Sequence, residues 1–204
     1  MKTEEIRITS LGEGMEEALA ATERLGQDSG LGHKENLRLR LLAEELIGLL
    51  RGITGSVEAD YQAWQEDGEF TLRLSTGVNM SMELRRQLLA ASSSGKNAAA
   101  KGLMGRIRDI VAAVMLPEKG ESTVPSGLSL GLMSMGSPSR YRSGEAYAWT
   151  LSQYMSEVRG SRDRDEEAAE AWDELERSVV ACVADDVSVR VSGSHAEISI
   201  FKSF

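Results

Sequence analysis

The sequence predicts an α+β fold: a two-layer α/β sandwich in which helices cover one face of a mixed sheet. Three observations carry that expectation. Apolar residues recur at steps of three and four through His33–Ile53, two segments in the first half alternate as a hairpin, and two more alternate at the C-terminal end.

Taken in order, Glu4–Ser10 sets Ile6 and Ile8 on one side and polar residues on the other, the pattern of a short half-buried strand. Met15–Leu25 is rich in Ala, Glu and Leu and reads as a helix, ending at Gly26 before the loop Gln27–Gly30. The next helix is the strongest in the chain. Leu39, Leu42, Leu46, Leu49, Leu50 and Ile53 form its stripe, Leu41 and Ile47 broaden it, and Gly52 and Gly55 close it. Glu44 finds Arg40 one turn earlier, whereas Glu45 has Leu41, Leu42, Gly48 and Leu49 around it and lies on or beside the stripe. At the stripe's margin its carboxylate would bend toward water; the sharper reading is a site residue.

Val57–Trp64 alternates through Val57, Ala59, Tyr61 and Ala63, and Glu69–Ser75 through Phe70, Leu72 and Leu74, joined across Glu66-Asp67-Gly68. Two helices follow, over 82–91 and 97–116, the second ended by Pro117. Gly95-Lys96-Asn97 is not a phosphate loop, because Ala90 stands where the first glycine belongs and Asn97 where a hydroxyl belongs. The stretch from Pro117 to Gly144, rich in Gly, Ser, Pro and Met, reads as a long loop in which Met133 and Met135 supply an adaptable surface or core filling. Ala146–Val158, with Trp149 on it, is predicted helical, and a charged break at Gly160–Asp165 precedes a helix from Glu166 to about Ala184. Val187, Val189 and Val191, a turn near Gly193-Ser194, and then Ile198 and Ile200 complete a terminal hairpin.

At 204 residues and 41% hydrophobic content the chain suits a single domain over 1–204, with 81–159 as an insertion. A formal charge of -9, with no face concentrating Lys and Arg, argues against a nucleic-acid surface. Cys182 is the one cysteine, the chain opens without a charged-then-apolar leader, and no apolar run is long enough to span a bilayer, so a reducing cytoplasm is the expected setting.

The order strand, helix, helix, hairpin, insertion, helix, hairpin resembles the histidine-kinase-like ATPase (GHKL) family, its compact anti-sigma-factor kinases above all. Ile6–Leu50, Phe70–Asn79 and Leu175–Phe204, about two-fifths of the chain, carry the likeness. In that family a helical Glu is followed four residues later by a magnesium-binding Asn; here Glu45 and Leu49 hold those places. A following Asp-x-Gly-x-Gly motif uses its Asp to accept from the adenine amino group; here Ser75, Gly77 and Asn79 stand at the Asp and the two glycines. Glu174 and its neighbours occupy the position of the glycine-rich lid motif.

The resemblance implies the family's fold with the insertion in the lid region, Glu45 at the catalytic position, and a nucleotide site degenerate at Leu49, Ser75 and Asn79. Leucine offers magnesium no oxygen, and Ser75 replaces a charged acceptor by a neutral one. The implied function is a non-catalytic regulatory module that binds another protein, with no cofactor, no metal, no nucleic acid and no membrane; a homodimer is compatible with it. The alternative is an active ATP-binding serine kinase or ATPase using magnesium, in which Glu45 orients the attacking hydroxyl or water. Other chemistry has less support. His33 and His195 lack ligand-spaced partners, Cys182 beside Val179, Val180 and Val183 reads as core packing, and no Gly-x-Ser-x-Gly elbow is present.

Overall fold

The structure, a computed structural model, describes residues 1–51, 58–77, 147–164, 166–192 and 195–204. Strand β1 (Ile6–Thr9) leads into helices α1 (Met15–Asp28) and α2 (His33–Arg51), then β2 (Glu58–Glu66) and β3 (Glu69–Gly77). The second half contributes β4 (Tyr147–Thr150), helices α3 (Leu151–Ser161), α4 (Glu166–Arg177) and α5 (Val179–Val183), and the closing strands β5 (Asp186–Ser192) and β6 (His195–Ser203). The described strands form one sheet of order β1-β2-β3-β6-β5-β4.

Every neighbouring pair in that sheet is antiparallel, which corrects the expected mixed sheet. The physical reason lies in the connections. A single crossover helix reverses the chain twice and returns a strand parallel, but the pair α1 and α2 adds a third reversal, so β2 comes back beside β1 running the other way. Residues 1–3 extend the same edge, with Thr3 N–H donating to Ala63 O and Gln65 N–H to Met1 O.

Local chemistry sets the joints. Gly14 caps α1 at φ 73°, and a Cβ there would collide with the Arg7 carbonyl oxygen. Between α1 and α2, Gly30 takes φ 81°, Leu31 N–H donates to Gly26 O, and Glu35 reaches back to accept from Gly32 N–H at 2.8 Å. Arg40 then ties the two helices by donating to Glu23 at 2.8 Å and to Glu44 at 3.2 Å. In the β2–β3 hairpin both central residues, Asp67 and Gly68, have positive φ, as a two-residue turn matched to strand twist requires.

Two further expectations change. Trp149 lies in β4, paired with Val189 and 4% exposed, and the predicted helix over 146–158 begins only at Leu151. Thr150 caps it by accepting from Gln153 N–H, and Asp186 accepts from Ser152 N–H at 2.9 Å and Oγ at 3.1 Å, so polar groups mark the helix start. The helix predicted from Glu166 to Ala184 is broken at Ser178, whose extended backbone and side chain cap α5. Residues 147–159, at the end of the expected insertion, thus supply an edge strand and a helix of the common sheet; the helices expected over 82–91 and 97–116 and the loop at 117–144 lie outside the described residues.

The core is one layer between the helices and a sheet face. Ile8, Tyr61, Leu72, Leu74, Val187, Val189, Ile198 and Ile200 point into it from alternate strand positions, and Leu39, Leu42, Leu46 and Leu50 fill it from α2. Helix α2 packs on β3 and β6, α1 on β1 and β2, and α3 on β4 and β5. The opposite sheet face carries Arg7, Asp60, Arg73, Ser75 and Glu197, and Gln62, Thr71 and Ser199 on it are buried.

Candidate functional site

The stripe of α2 decides the first two candidate positions. Leu49 is 7% exposed and belongs to the hydrophobic core, so its methyl groups pack against apolar neighbours where the resemblance would put a metal ligand. Glu45, one turn earlier, is half-buried at the stripe's margin.

The end of β3 decides the next two. Because successive strand side chains point to opposite faces, the alternation that buries Phe70, Leu72 and Leu74 turns Ser75 away from the helices. Its hydroxyl lies 2.7 Å from His195 Nε2 on β6. Thr76 is the residue that faces the helix layer; it is 5% exposed, and its hydroxyl donates to Glu58 O at 2.8 Å. Gly77 closes the strand, exposed, with no described atom within 4 Å of a Cβ placed there, so its surroundings do not demand glycine. Asn79 lies outside the described residues. Leu49 therefore packs in the helix layer while Ser75 points to the other face of the sheet, and the structure does not bring the two side chains together.

Ser75 and His195 form a pair that the sequence does not announce. A hydroxyl bonded to an imidazole is half of a nucleophile–base arrangement. The other half is missing among the described residues. Strands β3 and β6 are flanked on both sides, so their backbone N–H groups are committed to the sheet ladder, with none set aside for a developing oxyanion.

The remaining polar groups are structural ties. Thr22 and Tyr61 are both fully buried; the Thr22 hydroxyl donates to Ala18 O at 2.8 Å, so the 2.6 Å contact between the two hydroxyls has Tyr61 as donor. Burial pushes the Tyr61 phenol above its ordinary range. Asp185 accepts from Lys202 Nζ and Ser203 N–H, each at 2.6 Å; burial would raise its pKa, but the ammonium and the N–H together hold it below the usual value. Cys182, expected in the core, is exposed, and its thiol donates to Glu176 O at 3.4 Å. The correction has a simple cause: α5 is a single short turn that buries Val180 and leaves Val179 and Cys182 outward. His33 is exposed. Among the described residues no group of three or more His, Cys, Asp or Glu is placed to hold a metal ion, and no helix is long and apolar enough to cross a membrane.

Fold and site together define an α+β domain in which helices cover one face of an antiparallel sheet and an apolar packing residue, Leu49, stands at the position the resemblance gives to a metal ligand. No family model, curated protein or solved structure matches the chain.

Proposed function

We propose that this chain is a degenerate histidine-kinase-like ATPase-fold domain that acts as a non-catalytic regulatory module, binding a protein partner in the cytoplasm without nucleotide chemistry. The observation that supports it best is the separation of Leu49 from Ser75: one is packed in the core, the other faces away across the sheet and engages His195. Magnesium needs oxygen ligands in near-octahedral array, which a buried leucine cannot supply. An adenine entering between α2 and β3 would meet Thr76, whose hydroxyl is already committed to Glu58 O. The loss of one charge-assisted hydrogen bond is on the order of 1.5–3 kcal/mol, about tenfold or more in affinity.

Calorimetric titration of the full chain with ATP tests this, with magnesium and then with a chelator. The expected result is no heat that depends on the metal. Tight, chelator-sensitive binding would instead establish the alternative, an ATP-dependent kinase or ATPase with Glu45 at its centre.

A further inference from the structure

We infer that Ser75 and His195 are a nucleophile and its base, and that Ser75 accepts one acyl group from an activated ester without turning it over. The inference is independent of the nucleotide reading, because neither Leu49 nor magnesium enters it and its test contains no nucleotide.

Strand register builds the pair. On β6, His195 stands directly opposite Gly77 and two residues from Glu197, the partner of Ser75, so His195 and Ser75 are diagonal neighbours on one sheet face. Gly77 sets no side chain against the imidazole, whose Nε2 reaches across to lie 2.7 Å from Ser75 Oγ. No described atom lies within 4 Å of a Cβ placed at Gly77, and Gly77 and His195 are both exposed. An acyl carbonyl therefore has a notch beside the hydroxyl in which to approach.

The neighbouring carboxylates leave the imidazole as the base. Asp60, opposite Ser75 on β2, holds Arg7 at 3.3 Å, and Glu197, opposite it on β6, lies 3.9 Å from Arg73. Among the described residues His195 is the one hydrogen-bond partner of the Ser75 hydroxyl. With the ring proton on Nδ1, Nε2 accepts from Oγ–H. As Oγ bonds to the carbonyl carbon of an aryl ester, Nε2 takes the hydroxyl proton. The tetrahedral centre then expels the aryl oxide, the imidazolium returns its proton to water, and the acyl group stays on Oγ.

Magnitudes set what the pair can do. A positioned base accelerates such an attack about 10²–10⁴-fold, whereas a missing oxyanion donor forgoes about 10²–10³-fold. With the N–H groups of β3 and β6 committed to the ladder, the oxyanion is left to water. Ser75 therefore keeps the base's advantage over ordinary surface serines, which have neither base nor oxyanion donor. Deacylation is slower, because it expels the Ser75 alkoxide, a far poorer leaving group than an aryl oxide, with no donor to steady the tetrahedral centre.

Treatment of the full chain with p-nitrophenyl acetate tests this, with peptide mass spectrometry assigning each acetyl group to its residue. Ser152 and Ser156 on α3, both exposed, are the internal references. Ser75 in the native chain should acetylate at least about 100-fold faster than either, and its acetyl group should remain once the ester is removed. His195→Ala should bring Ser75 down to the reference rate, free imidazole should restore it, and unfolding in urea should erase the difference. Equal native rates at Ser75 and the references would overturn the inference, as would an advantage that survives urea or His195→Ala. A loss in His195→Ala that imidazole does not repair would make the histidine a structural tie and overturn its role as base. An acetyl group shed as fast as it forms would overturn the single acceptance. If His195→Ala loses its native circular dichroism, the native and urea-unfolded wild type decide alone.

Discussion

Removing the two hydroxyls that join α1 to β2, singly and together, should expose how the core handles its buried polar pair. Thr22 and Tyr61 are both 0% exposed, and the order of donation runs from Tyr61 to Thr22 to Ala18 O. Tyr61→Phe removes one neutral hydrogen bond while Thr22 keeps its own acceptor, so the cost should be about 1 kcal/mol. Thr22→Val leaves the phenol O–H buried with no acceptor, a larger penalty of roughly 2–3 kcal/mol. The double variant replaces both partners by apolar groups of similar shape and should cost little more than Tyr61→Phe alone. Urea unfolding of the full chain, followed by far-ultraviolet circular dichroism, reads all three.

The same pair makes an alkaline prediction whose sign follows from linkage. The folded phenol holds its proton above the ordinary value of 10.0, because burial disfavours the phenolate. Stability from this group is complete below that value and is lost as pH rises beyond it, by about 1.4 kcal/mol per pH unit. Tyr61→Phe should flatten that slope. Additive single effects, or Thr22→Val costing less than Tyr61→Phe, would refute the proposed order of donation; an unchanged alkaline slope in Tyr61→Phe would refute the burial argument.

Three other outcomes are expected. Gly14→Ala should lower stability by several kcal/mol, since it adds strain at φ 73° to a collision with the Arg7 carbonyl; Gly12→Ala, at φ 105° in open space, should cost only about 1–2 kcal/mol in the same thermal melt. Asp185, held below its usual 3.8, contributes stability that is present above that value and lost as pH falls through the lower folded value; with the carboxylate 44% exposed the contribution should be under about 1 kcal/mol, and Asp185→Asn should remove this acid-side loss from a pH series of urea midpoints. Asp186→Ala should cost about 1 kcal/mol and raise hydrogen exchange at the start of α3, because Ser152 N–H loses its acceptor; unchanged exchange there would contradict the capping role.

Much of the fold is legible because it is local. The stripe of α2 predicts the buried faces of Leu39, Leu42, Leu46 and Leu50, and Asp67-Gly68 predicts the hairpin turn through its demand for positive φ. What misleads is non-local. Trp149 becomes a strand residue because Val189, forty positions later, pairs with it, and no local pattern in a four-residue strand competes with the helical propensity around it. Ser178 breaks the predicted long helix through a cap that propensity alone does not weigh.

The site follows the same division. Leu49 is legible as a core residue from the stripe itself, and the period of two that buries Leu74 already turns Ser75 outward. The two periodicities thus set the Leu49 and Ser75 side chains apart before any contact between the elements is considered. The bond between Ser75 and His195, 120 positions apart, depends on the register of β3 against β6, which neither strand encodes alone.

Thiol labelling measures that opposition most directly. In a Cys182→Ser background, Leu49→Cys and Ser75→Cys each place one thiol in the full chain, and dilute protein is treated with an uncharged reagent under native conditions, with and without ATP and magnesium. The Ser75→Cys chain should label rapidly and the Leu49→Cys chain only as fast as it unfolds, neither rate changing with nucleotide. Fast labelling of both, with protection of both by ATP and magnesium, would place the two positions in one nucleotide pocket and contradict the account.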